Sequence, residues 1–209
     1  LWQMGVGKDM NKAMLYNFLT IGYTSNPADP FETFYTNIYK LPAAHCLTYT
    51  LPTNELVTER YWQTYVDVNT TISETDAIEK FTELFRDSVQ KKLRSDVPIG
   101  SSLSGGLDSS AIVAFCAEEQ ASQYTHNCFT ASFAGFEKDE TGHAALVAQT
   151  FGLHHHTTTL TSDEVVSLMQ KLAAHQEEPF SSASVLAQYK VFEEAKQKGI
   201  TVMLDGQGA

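Results

Sequence analysis

The chain has 209 residues, 43% of them apolar, enough to bury a substantial core, which excludes a disordered chain. Its formal net charge of −11 argues against a nucleic-acid surface as the main function, because phosphate backbones demand clustered cations. A small phosphorylated ligand remains compatible, since a nest of main-chain amides works within an acidic protein.

Residues 1 to about 45 are mixed in character, with SNPADPF at 25–31 marking a loop through its Pro and Asp content. CLTYTL and ELVTERYW then flank PTN, which predicts a β-hairpin: alternating apolar residues on either side of turn chemistry. A strong helix follows. Ser73 and Asp76 suit its N-terminus, and Ile78, Phe81, Leu84, Phe85, Val89 and Leu93 recur at helical spacing, which places Phe81 and Phe85 in the core.

From Val97 the pattern alternates. VPIGSSL predicts a strand and 108 to about 120 a helix; NCFTASF a strand and 140–151 a helix; HHTTTL a strand and 162–175 a helix. The segment 184–198 then reads as a helix and ITVMLD as a strand. Such alternation implies an α/β fold: a parallel sheet with helices on both faces, preceded by a small helical and β-hairpin segment. Ligands of such sheets bind at the carboxyl ends of the strands, where both SLSGG and DGQG fall. The chain divides at about residue 72, and its stop after LDGQGA, in a Gly-rich turn, suggests an excised fragment.

Cys46, Cys116 and Cys128 have an odd count and no metal-type spacing, which favours a reducing cytoplasm over a disulfide scaffold. No apolar run approaches the roughly 18 residues of a membrane span, and no signal peptide is visible, so neither membrane nor nucleic acid is expected as a partner.

At SLSGGLDSS the backbone must turn sharply from strand to helix. Gly105 and Gly106 permit positive φ and a close approach to the main chain. The amides that follow point outward at a helix N-terminus, where the dipole favours negative charge. Ser104, Ser109 and Ser110 add hydroxyls, and Asp108 can hold a magnesium ion beside phosphates. A Ser-capped helix after a Gly turn is the plainer alternative. A Walker loop is excluded, because Leu107-Asp108 stands where Lys-Ser/Thr is needed. A nucleophile elbow is excluded too, because Ser104 stands where its second Gly should be.

SGGLDSS resembles the pyrophosphate loop of the N-type ATP pyrophosphatases, which share adenylation with release of pyrophosphate. FYTNIYKLPAAHCLTY followed by RYW, then DETGHAALVAQTFGLHHH, EEPFSSAS and ITVMLDGQGA, is similar in order and spacing to the glutamine-hydrolysing asparagine synthetases. The resemblance implies an adenine nucleotide alpha hydrolase-like fold, with 1–72 as linker and N-terminal segment and 73–209 as an ATP-pyrophosphatase domain truncated at its C-terminal end. It implies that aspartate attacks ATP to give β-aspartyl-AMP and pyrophosphate, and that ammonia from glutamine then displaces AMP. ATP and magnesium are the implied cofactors, and a homodimer is left open.

By the same resemblance, Ser104, Gly105, Gly106, Leu107, Asp108, Ser109 and Ser110 form the pyrophosphate cradle, with Asp108 the magnesium ligand. Leu103, through its backbone, and Ala131 meet adenine; Asp205 and Gly206 fall at the ribose and α-phosphate. Asp108 and Gln207 take the catalytic roles. Gln207 is a departure, since many members carry Glu there, and an amide hydrogen-bonds but cannot act as a base. The chain begins Leu1-Trp2 rather than with the nucleophilic Cys of the glutaminase half, so the expectation is a fragment that neither hydrolyses glutamine nor completes synthesis. Two rivals stay open: a relative that adenylates another carboxylate, such as a β-lactam-forming cyclase, and an ATP-binding module without catalysis.

Four further features invite a function. Adjacent residues on a strand face opposite ways, so His154, His155 and His156 read as a polar strand rather than one metal site. Glu177 and Glu178 before Pro179 are either an acid–base pair or a solvated loop. Asp139 and Glu140 suit a helix cap, with lining of the nucleotide site by their loop as the alternative, and Asp163 and Glu164 suit a helix dipole.

Overall fold

A computed structural model describes residues 4–119, 126–133 and 139–206. They divide into two compact units, one of Leu1–Thr70 with His175–Ser182, the other of Thr71–Ala174 with Ala183–Ala209.

In the first unit, Asn11 caps helix α1 (Lys12–Ile21) by accepting from the N–H groups of Ala13 and Met14, and Gly22 ends it in the left-handed region. The helix buries Met14, and Phe18 meets the buried Phe34 edge-on at 5.9 Å. The expected hairpin is present as β1 (His45–Thr50) and β2 (Glu55–Arg60), antiparallel from His45–Arg60 to Thr50–Glu55. Asn54, at φ 52°, provides the turn and accepts a 2.6 Å hydrogen bond from the Tyr49 hydroxyl.

The second unit opens with α2 (Glu74–Lys92) and carries the sheet and its helices: β3 (Ile99–Ser102), α3 (Leu107–Glu119), β4 (Asn127–Ser132), α4 (Thr141–Thr150), β5 (His154–Thr159), α5 (Ser162–Gln176), α6 (Ser184–Gln197) and β6 (Val202–Leu204). Ser73 caps α2 by accepting from the Asp76 N–H at 3.1 Å and donating to the Asp76 carboxylate at 2.7 Å, while Lys91 and Lys92 complement the other end. Ser73→Ala is expected to cost about 1 kcal/mol, read as a thermal midpoint lowered by about 2–4 °C.

One expectation for α2 fails. Ile78, Phe81 and Leu84 are exposed, Phe81 by 67%, so Phe81 is not core; Val89 is buried and Phe85 half-buried. The contacts with α3 run from Phe85, whose ring meets Phe115 at 5.2 Å, and from Arg86, which pairs with Glu118 at 3.3 Å. Phe81 only stacks on Phe85 at 5.8 Å. The apolar stripe of α2 is longer than the surface that α3 offers it.

The four strands are parallel in the order β5-β4-β3-β6. The chain runs outward from β3 through β4 to β5, then returns to place β6 on the other side of β3. That reversal makes the carboxyl end of β3 a topological switch point, where neighbouring connections diverge and leave a crevice. Helices cover both faces, as expected. Cys128 packs with Leu103, Val113, Ala144 and Ala148 beneath α3 and α4, while its neighbour Phe129 packs with Val191, Ala195 and Ile200 beneath α6.

The histidines follow the same alternation. His155 Nε2 bonds the Thr130 hydroxyl at 2.8 Å, whereas His156 bonds the Asn127 side chain at 2.9 Å and stacks on Phe129. Among the described residues no group of three His, Cys, Asp or Glu is placed to hold a metal ion, and no helix is long and apolar enough to cross a membrane. Glu164 accepts from the Thr161 N–H at 3.0 Å at the start of α5, and Lys190 of α6 pairs with it at 3.1 Å. These bonds hold its carboxyl at about 2, well below the usual range.

Candidate functional site

The SGG turn follows β3 at the switch point and leads straight into α3. Leu103 still belongs to the sheet: its N–H donates to the Phe129 carbonyl at 2.8 Å and its carbonyl accepts from the Thr130 hydroxyl. Gly105 then takes φ +83°, and a Cβ built there would lie 2.6 Å from the Ala144 nitrogen and 2.7 Å from the His143 Cβ. The turn is therefore pressed against the first turn of α4, and only glycine fits.

Within the turn the hydroxyls bond one another. The Ser104 and Ser109 hydroxyls are 3.0 Å apart, the Ser104 N–H donates to Ser109 Oγ at 3.3 Å, and the Gly106 N–H donates to Ser104 Oγ at 3.2 Å. This ring of small side chains pre-shapes the loop. The Leu107, Asp108 and Ser109 amides stand at the N-terminus of α3, where a helix has no carbonyl four residues back to receive them. They supply the donors and the dipole that an anion needs.

The crevice itself is a cavity of about 410 Å³. One part of the wall is the loop, with Ser104, Gly106, Leu107, Asp108 and Ser109. Another part is apolar, with Phe129, Ala131, Ala187 and Val191. Leu103 lines the cavity too, but its side chain is buried in the opposite core, so its contribution is main chain. Asp205 and Gly206 close the side next to α3; a Cβ on Gly206 would sit 3.3 Å from the Asp108 Cβ. The fold thus brings the turn and the exit of β6 together from positions about a hundred residues apart.

Other residues fall differently. Gly105 supports the turn from behind, and Ser110 Oγ is buried in the first turn of α3 without a hydrogen-bond partner. Gln207 lies outside the described residues. Asp139 does cap α4, accepting from the Thr141 hydroxyl and from its N–H at 3.1 Å, and these bonds hold its carboxyl below the usual range. In the first unit, Glu178 pairs with Lys40 at 2.9 Å and accepts from the Phe34 N–H, while the Glu177 carbonyl accepts from the Tyr35 hydroxyl. The Glu178 carboxylate thus holds the chain, whereas Glu177 does so only through its main chain. Burial pushes the thiols of Cys116 and Cys128 up to about 11 and about 12, so neither is a thiolate near neutrality.

Sequence reasoning missed one wall. Ser184, Ala187, Gln188 and Val191 of α6 line the cavity at i, i+3, i+4, i+7 spacing, so one helix face serves both core and site. The signal was legible as polar Ser184 and Gln188 running beside the apolar row Ala187, Val191, Ala195. Glu140, at the start of α4, makes no side-chain cap hydrogen bond and lines the cavity, the alternative its loop offered from sequence. The described lining residues include three carboxylates, those of Asp108, Glu140 and Asp205, and no lysine, arginine or histidine.

The family model for asparagine synthase matches residues 80–209, from α2 through the loop to the exit of β6. The chain belongs to the asparagine synthase family. The chain is 32% identical over 201 residues to a Methanocaldococcus jannaschii protein assigned as glutamine-hydrolysing asparagine synthetase 2, covering 96% of itself and 38% of that protein. It is 33% identical over 191 residues to the glutamine-hydrolysing asparagine synthetase 2 of Bacillus subtilis, covering 85% of itself and 25% of that protein. The chain thus spans well under half the length of these relatives. Among solved structures, a glutamine-dependent NAD+ synthetase from Acinetobacter baumannii aligns over 75% of this chain and 29% of its own, at 19% identity and a TM-score of 0.41.

Proposed function

We propose that the cavity binds ATP as its magnesium complex and that residues 73–209 form the ATP-pyrophosphatase part of a cytoplasmic, glutamine-dependent asparagine synthetase, with 1–72 its linker and N-terminal segment. The observation that carries this reading is the cavity at the switch point, lined both by the amide-rich loop and by an apolar surface of Phe129, Ala131, Ala187 and Val191. A base fits the apolar surface and a phosphate chain the loop. The donor set also fits magnesium: among the described residues three carboxylates and no cation line the cavity, so a polyphosphate is better received with a divalent ion. Asp108, at the mouth of the loop, would hold it, and the ion would neutralise charge on the leaving phosphates.

The remaining work falls to the chain. The loop amides and the α3 N-terminus stabilise charge that gathers on the β- and γ-phosphates as the bond from the α-phosphorus to its bridging oxygen breaks. An oxygen of the aspartate side-chain carboxylate forms the new bond to that phosphorus, giving β-aspartyl-AMP and pyrophosphate. Ammonia, from glutamine, then attacks the acyl carbon, and AMP leaves as asparagine forms. Asp205 and Gly206 hold the nucleotide between base and phosphates. Gln207 orients the incoming amine or the acyl group by hydrogen bonding, without taking a proton.

The amide at Gln207 favours one second reading, adenylation of another carboxylate by the same loop. Both are tested by pyrophosphate release from the full-length protein with magnesium-ATP. Aspartate is expected to support release, and Asp108→Ala to reduce it by at least 100-fold, in line with removing a metal-holding carboxylate. Release with a different carboxylic acid but not aspartate selects the second reading. Unchanged release in Asp108→Ala refutes the role given to the loop.

A further inference from the structure

A carbonyl has no proton to give, so between Thr130 and the Leu103 carbonyl the threonine hydroxyl is the donor. That spends its single proton, and toward His155 the same oxygen is an acceptor only. The 2.8 Å contact from His155 Nε2 to Thr130 Oγ1 therefore requires the proton on Nε2. The neutral ring is fixed in one tautomer, and an imidazolium would donate there equally. A directed relay results: His155 donates to Thr130, and Thr130 donates to Leu103.

The relay starts away from the cavity and ends in its wall. His155 stands on β5 opposite Cys128, and its ring reaches along the sheet to Thr130, two residues further on. Thr130 and Leu103 are buried and belong to the cavity lining, whereas His155 does not. Leu103 is also where the chain leaves the sheet. Strand β3 ends at Ser102, the Leu103 N–H still donates to the Phe129 carbonyl, and Ser104 already belongs to the hydroxyl ring of the turn. One residue further, Gly105 is pressed against α4. The turn is thus gripped at Gly105 by packing and at Leu103 by the relay.

A buried carbonyl at the end of a ladder needs a donor. The Thr130 hydroxyl provides one only while its proton points at Leu103. Accepting from His155 favours that orientation, because each bond of such a chain polarises the next. Without the donor on β5, the hydroxyl loses the partner that opposes its rotation.

Resting on the reading of the loop as the phosphate site, we infer that His155 is a positioning residue for that loop: it donates from Nε2 to Thr130, so that the Thr130 hydroxyl stays on the Leu103 carbonyl and fixes where the pyrophosphate-binding turn leaves the sheet.

The test is calorimetric titration of the full-length protein at pH 8 with pyrophosphate and with magnesium-ATP, at a temperature where melts show every variant folded. His155→Leu, which removes the donor, is expected to weaken both ligands by the same factor, roughly 5- to 10-fold, because both are held by the loop. His155→Gln, whose side-chain nitrogen reaches about as far as Nε2, should restore most of that loss. His155→Asn, whose nitrogen stands nearer the place of Nδ1, should not. Thr130→Val breaks the relay at its middle, so adding His155→Leu to it should cost nothing further. A nitrogen–proton correlation spectrum of the wild-type ring, which depends on no variant, should place the proton on Nε2. Wild-type affinities in His155→Leu, rescue by Asn as good as by Gln, loss of magnesium-ATP affinity alone, or a proton on Nδ1 overturns the inference. Failure of wild type to bind either ligand, with the proton on Nε2, refutes the phosphate reading of the loop instead, and the positioning role falls with it.

Discussion

Gly105→Ala is expected to destabilise the protein by roughly 2–5 kcal/mol and to weaken magnesium-ATP binding at least 100-fold. Two costs add. A methyl group at φ +83° meets the left-handed penalty of about 1–2 kcal/mol that glycine escapes. It also enters the backbone of α4, 2.6 Å from the Ala144 nitrogen and 2.8 Å from the His143 carbonyl carbon. Backbone cannot swing aside as a side chain does, and Ala144 and Ala148 seat α4 in a core with Leu103, Val113 and Cys128. The turn must give way instead, and the amides at the N-terminus of α3, which the proposed function assigns to the phosphates, move with it. Gly152→Ala separates the two costs: its φ is +64°, but nothing lies within 4 Å of the added carbon. Denaturant melts should show only about 1 kcal/mol of loss there, with ATP binding intact. Wild-type affinity in Gly105→Ala would contradict the loop geometry.

Stability is expected to fall by up to about 3 kcal/mol as pH drops from about 6.5 to about 4, through His126. The imidazole is fully buried at the start of β4 and shares a 2.6 Å hydrogen bond with the buried Ser101 hydroxyl behind the loop. Burial pushes its pKa down to about 4. A depressed histidine stays neutral in the folded chain while the unfolded chain takes up a proton below about 6.5, so acid favours unfolding throughout that window. Below about 4 the folded form is protonated too, and this contribution levels off. His155 and His156 are also shifted down, chiefly by burial, and act with the same sign. Denaturant melts across pH 4–8 measure the slope, and the His126 ring resonances should show no titration midpoint above about 5. A midpoint near 6.5 in the folded protein would remove the basis of this prediction.

Much of the fold was legible because its signals are local. The PTN turn between alternating runs set the hairpin, Ser73 with Asp76 set the start of α2, and the repeat of short strands and helices from Val97 set a parallel sheet. The candidate loop was legible for the same reason, since Gly105, Gly106 and Asp108 are neighbours in sequence and the turn they make is short. The stripe on α2 misled, because periodicity reveals that a helix has an apolar face and not what covers it; Phe81 has the spacing of a core residue and stays exposed. The α6 wall escaped because Ser184 and Gln188 beside an apolar row are ordinary for a helix until the fold turns that face to the cavity and brings Gln188 to Asp205.

Amino-acid order by itself determined the strand–turn–helix that offers main-chain donors to an anion, because glycine freedom and helix dipoles act over a few residues. Only the tertiary structure decided that β6 returns beside β3, that Asp205 and Gly206 meet Asp108, and that Gln188 reaches across to Asp205. Those contacts join residues that are distant along the chain, and their geometry depends on how two apolar cores pack against the faces of one sheet.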